Sequence, residues 1–237
     1  IGDAAARTQA LVTGQVDAVN RLDPKTVALL SKNKNIQVSR TKGTGNRYCF
    51  VSRVTSDPYT NKDLRLALKY GIDREQIIKS VYSGYAVAGN DHTLDALNPF
   101  YNTEMPQRAY DPDKAAFHFK KAGVSGKIEL KTSDGAWSQA VDSAQVYQES
   151  MKKAGIDLTV TKVSGDGYWD NVWLKVPFCA VYWGRRMSAD ATLSQEFGLK
   201  SDWNDSDWRV PEFEKLLSEA RVELDNAKRK ELYFKAQ

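Results

Sequence analysis

Apolar and polar positions follow two periods along this chain, one helical and one strand-like, and segments of the two kinds succeed each other in order. Helical spacing predicts helices over residues 3–13, after Asp23-Pro24, Asn61 and Asp73, from Asp111-Pro112 to Gly123, and over residues 137–154. It predicts three more helices after residue 183, the last two of them charged. Short apolar or alternating runs predict strands over residues 16–19, 36–39, 48–54, 127–132, 156–163 and 178–183. The alternation of helices and strands favours an α/β fold.

Residues 85–110 interrupt this order with a long stretch rich in turn-forming residues. Its turn-forming residues include Gly89, Asn90, Pro99, Asn102 and Pro106. The stretch is longer than the loops usual in compact domains. We interpret it as a passage between two lobes. The sequence therefore predicts part of a first lobe in residues 1–90, a crossover in residues 91–110, and a second, incomplete lobe in residues 111–237.

Composition and charge argue against a membrane-spanning protein and against a nucleic-acid-binding protein. The chain has 237 residues, 41% of them hydrophobic, and a net charge of +4. Its length is sufficient to bury a large core without disulfides, and no apolar run approaches the roughly 20 residues that span a bilayer. Basic residues are in excess in residues 1–90 but are scattered singly, which argues against nucleic-acid binding. The chain begins at Ile1, so we expect a mature or trimmed product.

Few residues suggest catalysis. His92 and His118 are too few for a metal site, and residues 43–45 (Gly-Thr-Gly) lack the rest of a phosphate-binding loop, so we interpret them as a turn. Cys49 and Cys179 lie inside predicted strands, which favours buried free thiols over a disulfide or a nucleophile. We therefore expect no metal and no cofactor.

One acidic cluster leaves an enzymatic alternative open. Asp202, Asp205 and Asp207 lie near Trp203 and Trp208, and two carboxylates facing one cleft are the machinery of glycoside hydrolysis. The alternative function is thus a secreted carbohydrate-active hydrolase. The same Asn, Asp and Ser residues are also typical of a solvated turn. A basic module that binds nucleic acid or a surface is a third alternative.

Five segments, in order, resemble one known family. They are DAAARTQALVTGQVDAV (3–19), NKDLRLALKYGIDREQIIKSVYSGYA (61–86), AYDPDKAAFHFKKAG (109–123), MKKAGIDLTV (151–160) and ELDNAKRKELYFKAQ (223–237). Together they are similar to the oligopeptide, dipeptide and nickel-binding family of ABC-transporter solute-binding proteins, the family 5 extracellular solute-binding proteins. The resemblance covers nearly the whole chain, whereas the chain covers only the middle and later part of such a protein.

The resemblance implies a two-lobed clamp of the periplasmic-binding-protein type, here a fragment without the N-terminal part and the C-terminal return. Such a protein captures a peptide-like, opine or oligosaccharide solute between its lobes and delivers it to the membrane permease of an ABC importer. We accordingly expect a monomer without enzymatic activity, located in the periplasm or anchored outside the cytoplasmic membrane as a lipoprotein. The solute itself is not specified.

The family's placement of ligand-facing residues points to RYCF (47–50) and VYWGRRMSAD (181–190). Tyr48 and Phe50 share one face of the first predicted strand. Trp183 has an aromatic ring suited either to the solute or to the core of its lobe. The candidates in the first stretch are thus Tyr48 and Phe50, and the principal aromatic candidate in the second is Trp183.

The second stretch departs from the family's pattern. Peptide binders generally show Trp-x-x-Asp, with the acid pairing with a peptide's amino group, whereas this chain has Arg186 there and an acid only at Asp190. A guanidinium attracts a carboxylate or phosphate, so Arg186 and its neighbour Arg185 predict a solute with an anionic group. The alternatives are an ion pair of either arginine with Asp190, or exposure to solvent.

Overall fold

A computed structural model describes residues 3–41 and 46–237, and it shows a mixed α/β architecture. Its four-stranded sheet has the spatial order β1-β4-β2-β3. Strand β2 is parallel to β3 and β4, whereas β1 is antiparallel to β4. The strands are β1 Arg47–Ser52, β2 Ile128–Thr132, β3 Leu158–Lys162 and β4 Phe178–Trp183.

Helices precede, separate and follow these strands along the chain. They are α1 Ala4–Val12, α2 Val27–Leu30 after a 3₁₀ turn at Pro24–Thr26, α3 Lys62–Gly71, α4 Arg74–Ser80, α5 Pro112–Ala122, α6 Ala140–Lys153, α7 Tyr168–Asn171, α8 Ala189–Phe197, α9 Pro211–Val222 and α10 Asn226–Ala236. The described residues include no helix that combines the length and apolar character needed to cross a membrane.

Side-chain caps fix where several helices begin, as the sequence predicted. Asp23, Asn61, Asp73 and Asp111 each accept a hydrogen bond from a backbone N–H in the first turn that follows, which satisfies a donor without an intrahelical partner. Helix α5 ends at Gly123, whose φ of 63° lies in the left-handed region that glycine adopts readily.

Two predicted strands do not form. The N–H of Val16 bonds to the carbonyl of Ala10 at the end of α1, and the N–H of Ile36 bonds to Asn33 in a turn. Residues 16–19 and 36–39 are therefore irregular. An apolar run becomes a strand only where a neighbouring strand pairs with it, and local turns have taken these donors instead.

The core lies between the sheet and helices α3, α5 and α6. Its main cluster comprises buried residues that include Leu64, Leu68, Ala115, Leu130, Tyr147 and Met151. Two hydrogen bonds join α6 to α3, because Tyr147 Oη donates to the carbonyl of Leu68 at 2.8 Å and Ser150 Oγ donates to that of Gly71 at 2.7 Å. A separate apolar cluster holds α8, α9 and α10 together around Leu193, Phe213, Leu217 and Tyr233.

The predicted division into lobes stays a prediction, and the sheet contains strands from both sides of it. Residues 47–52 were assigned to the first lobe and residues 178–183 to the second, yet these segments pair along their full lengths as β1 and β4. Residues 85–110 are free of helix and strand, as expected, but they connect two parts of one packed unit. The segment before β1 contacts this unit through the ion pair of Lys25 with Asp142, 2.8 Å apart.

Candidate functional site

The parallel direction of β2, β3 and β4 brings the carboxyl ends of these strands to one edge of the sheet. In open α/β sheets, ligands bind in the crevice outside this edge. Because β1 is antiparallel, its first residues lie at the same edge. We call this region the carboxyl edge and define it by residues 46–48, 132–137, 162–167 and 182–188.

Tyr48 presents a supported aromatic ring at the carboxyl edge. Its side chain is 39% exposed, and its ring stacks on Trp137 at 5.0 Å and on Tyr82 at 6.0 Å between centroids. The indole N–H of Trp137 donates to Tyr82 Oη at 2.9 Å, which fixes the supporting rings. Burial raises the pKa of Tyr82 to about 12, so its phenol stays neutral at ordinary pH. The exposed part of Tyr48 can cover an apolar or sugar-like surface.

Phe50 lies on the same face as Tyr48 but farther from the edge. Its ring is only partly exposed and packs against Trp137 at 5.8 Å and Tyr147 at 5.5 Å. Tyr147 belongs to α6, which covers this part of the sheet. The structure therefore places Phe50 against the core.

Trp183 lies on the opposite face and is buried, with only 6% of its surface exposed. Its indole N–H donates to Asp205 Oδ2 at 3.0 Å, and the indole N–H of Trp173 donates to the same oxygen at 3.3 Å. Trp203 packs on both rings, at 6.0 Å and 5.6 Å, and is 45% exposed. Of these three indoles, Trp203 is the one that faces outward, and Trp183 supports it from inside.

The acidic residues near these indoles have different surroundings. Burial raises the pKa of Asp205 to about 6, and the two indole donors oppose that shift. Asp207 instead accepts from Thr55 at 2.6 Å and contacts Arg53, and these partners lower the pKa of its carboxyl. Asp202 is exposed. Each acid thus has its own surroundings, which is the arrangement of an ordered loop.

The two adjacent arginines at the carboxyl edge have different partners. Arg185 pairs with Asp95, with 3.3 Å between Nε and Oδ2. Arg186 is half-buried and donates from Nε to the neutral amide oxygen of Gln195 at 2.6 Å. Among residues 3–41 and 46–237, no carboxylate lies within ion-pair distance of Arg186. Its positive charge is therefore not neutralised by the described part of the chain.

Asp190 is directed toward α9. It pairs with Arg221 at 2.8 Å and accepts from Ser194 at 3.2 Å. The ion pair between Asp190 and either arginine at the edge, left open by the sequence, is not formed. Of the six predicted site residues, Asp190 among them, the structure places Tyr48 and Arg185 exposed and Arg186 half-buried at the carboxyl edge.

The cysteines and histidines considered for catalysis each have a defined structural setting, and both ring nitrogens of His92 are buried without a hydrogen-bond partner. Both cysteines are free, and burial raises the pKa of Cys179 to about 12, which keeps the thiol protonated. His118 contacts Asp63, with 2.8 Å between Nδ1 and Oδ1, and His92 packs on Tyr101. The turn predicted at residues 43–45 lies outside the described residues. No cluster of three metal-ligating side chains occurs in the described ranges.

The sequence did not single out several residues of the edge. Trp137 and Tyr82 support Tyr48, and a buried ion pair joins Arg47 of β1 to Glu196 of α8. Trp137 was assigned only to a helical stripe. Trp137 carried a signal, because it stands in a segment rich in Gly, Ser and Asp, where a large aromatic residue needs a packing partner or a ligand.

Comparisons with known proteins agree with this architecture. Residues 1–205 match the family described as bacterial extracellular solute-binding proteins, family 5 Middle. The glutathione-binding protein GsiB of Escherichia coli is 30% identical over 162 residues, which are 68% of this chain and 31% of that protein. The dipeptide-binding protein of Escherichia coli is 26% identical over 255 residues, covering 99% of this chain and 45% of that protein.

Solved structures show the same fold. The periplasmic binding protein DppA of Helicobacter pylori, solved with a bound peptide, matches with a TM-score of 0.88 at 24% identity. The match covers 100% of this chain and 47% of the DppA chain. NikZ of Campylobacter jejuni, solved with Ni(L-His), has a TM-score of 0.86 at 21% identity, covering 99% of this chain and 50% of its own. The chain thus spans about half the length of these proteins or less, and it belongs to the bacterial extracellular solute-binding proteins of family 5.

Proposed function

We propose that this chain forms one wall of the solute site in an extracytoplasmic binding protein that serves an ABC importer. The match of residues 1–205 to the family carries this proposal. In it, the protein holds a solute between two lobes and delivers it to the permease subunits as a monomer. The relatives named above are binding proteins for glutathione, for dipeptides and for nickel complexes, which favours binding over the hydrolase alternative.

The carboxyl edge supplies the contacts in this proposal. Tyr48 at the edge and Trp203, which packs on the edge residue Trp183, offer exposed aromatic surface at two places, while Arg186 offers a guanidinium whose charge the described residues leave unneutralised. Arg185 lies beside it but is already paired with Asp95. A site of this kind combines aromatic surface with a few orienting polar groups. Its charge favours a peptide-like solute that carries a carboxylate, or another anionic solute.

The function is tested by calorimetric titration of the full-length protein with glutathione, alanylalanine and the nickel–histidine complex, with chromatography of the recovered compounds. We expect saturable binding of at least one compound, recovered unchanged. A compound consumed in proportion to time and protein concentration would support the hydrolase instead. Absence of binding by all three would count against a peptide-like or chelate solute.

The proposed role of Arg186 is tested with Arg186→Gln, using Arg185→Gln as the matched control. Both variants remove one positive charge from the same loop, but only Arg186 lacks an acidic partner in the described structure. A charge-assisted hydrogen bond contributes roughly 1.5–3 kcal/mol. We therefore expect Arg186→Gln to raise the Kd of the tightest anionic compound about 10- to 100-fold, and Arg185→Gln to change it little. Equal effects of the two variants would remove the special role of Arg186.

A further inference from the structure

A buried ion pair lies directly behind the proposed site. Arg47 begins β1 and contacts Glu196 in the last turn of α8. Glu196 is 1% exposed and the Arg47 side chain is 20% exposed. The pair connects a strand of the sheet to a helix that follows the loop of Arg186, so it fixes the distance between two elements of the carboxyl edge.

The sequence neighbours of this pair are the residues that the proposed site uses. Arg47 immediately precedes Tyr48, and Glu196 immediately follows Gln195, whose amide oxygen accepts from Arg186 Nε at 2.6 Å. A movement of Arg47 relative to Glu196 would therefore change the separation of the Tyr48 ring from the Arg186 guanidinium. No other ion pair in residues 3–41 and 46–237 joins β1 to α8.

The pair is poorly explained as a means of stabilising the fold. Removing two charges from water is costly, and apolar residues of similar volume often serve stability as well or better. The hydrogen bonding of this pair is also incomplete, because Arg47 Nε and Glu196 Oε2 are buried without a partner. Burial raises the pKa of the Glu196 carboxyl, while the Arg47 guanidinium beside it lowers that pKa. What the ion pair provides, and two apolar side chains would not, is a directional contact that fixes the relative position of β1 and α8.

Other polar groups surround the pair from each neighbouring element. Thr93 and His92 approach from the segment between α4 and α5, Asp205 from the loop after α8, and the Cys49 thiol from β1. Asp205 in turn anchors the indoles of Trp173 and Trp183. The pair thus belongs to a group of polar side chains on the face of the sheet that carries Trp183.

We infer that Arg47 and Glu196 are positioning residues, which hold Tyr48 and Arg186 at the separation that the solute requires. This inference rests on the proposed function for its effect on binding. The mobility of the segments around Tyr48 and Arg186 can be measured without a solute. The positioning role and the proposed function can therefore fail separately.

The test is Glu196→Gln in the full-length protein, with Glu149→Gln as the control. Both changes neutralise a glutamate in an ion pair, but Glu149 is exposed on α6 and pairs with Lys152. We expect Glu196→Gln to speed amide hydrogen exchange at least tenfold in residues 46–49 and 184–187 together. We also expect it to raise the Kd for glutathione or alanylalanine at least tenfold while thermal unfolding remains cooperative. Glu149→Gln should change neither quantity.

Each outcome decides the inference. Unchanged exchange in either segment would overturn it, whether or not a compound binds. Faster exchange with an unchanged Kd would overturn the role in binding. If neither compound binds the unmodified protein, the proposed function fails for peptide-like solutes, and exchange alone decides whether the pair positions these segments. If Glu196→Gln does not fold, Arg47→Lys keeps the charges but not the planar fork, and the same exchange pattern is expected from it.

Discussion

Replacing Trp183 with alanine is expected to lower the free energy of unfolding by about 3–5 kcal/mol, the range for removing a large buried aromatic side chain. Only 6% of Trp183 is exposed, and its indole N–H donates to the buried carboxylate of Asp205. The variant creates a cavity and removes one of two indole donors from that carboxylate. Urea denaturation, followed by circular dichroism, measures the change.

The control for this variant is Leu224→Ala. Leu224 is 89% exposed, so its truncation should change stability by no more than about 0.5 kcal/mol. The opposite result for Trp183→Ala, a stability loss below about 1 kcal/mol together with a large rise in Kd, would restore the sequence-based hypothesis that Trp183 contacts the solute directly.

Replacing Gly135 with alanine is expected to cost about 1–3 kcal/mol, as insertion of a methyl group into packed structure does. A Cβ atom at residue 135 would lie 2.6 Å from the Cα and 2.8 Å from the carbonyl oxygen of Gly165. These are backbone atoms, so the loops after β2 and β3 would have to separate. Thermal unfolding of the variant measures the effect, which should include a disturbance of the carboxyl edge.

Gly165→Ala is the matched control, because it adds the same methyl group on the other side of the same contact. A Cβ atom at residue 165 would lie 3.4 Å from its nearest neighbours, which are the backbone N and Cα of Gly135. We expect this variant to be clearly more stable than Gly135→Ala. Equal stability of the two would show that the loops are not in the close contact described.

The sequence predicted the elements whose determinants are local. A cap such as Asp73 and the αL residue Gly123 mark helix ends by their own chemistry, and both are found where they were expected. Tyr48 and Phe50 were correctly placed on one face by the period of a strand. What separates them is that α6 covers Phe50 through Tyr147, and this depends on tertiary packing.

Long-range pairing was beyond the local pattern. Strand β1 was separated from its partner because about 130 residues of chain intervene, and no period in the sequence records which strands become neighbours. The sequence left Trp183 open between solute contact and the core, because its burial depends on Asp205, an acidic residue in a loop whose composition is typical of a solvated turn. The buried pair of Arg47 and Glu196 was missed for the same reason.

The most direct test of the central claim is a crystal structure of the full-length protein with the tightest-binding compound of the panel. We expect the compound at the carboxyl edge of the sheet, with an anionic group within about 3 Å of the Arg186 guanidinium and an apolar part against Tyr48 or Trp203. A compound bound away from residues 46–48 and 182–188, with Arg186 still donating only to Gln195, would contradict the account.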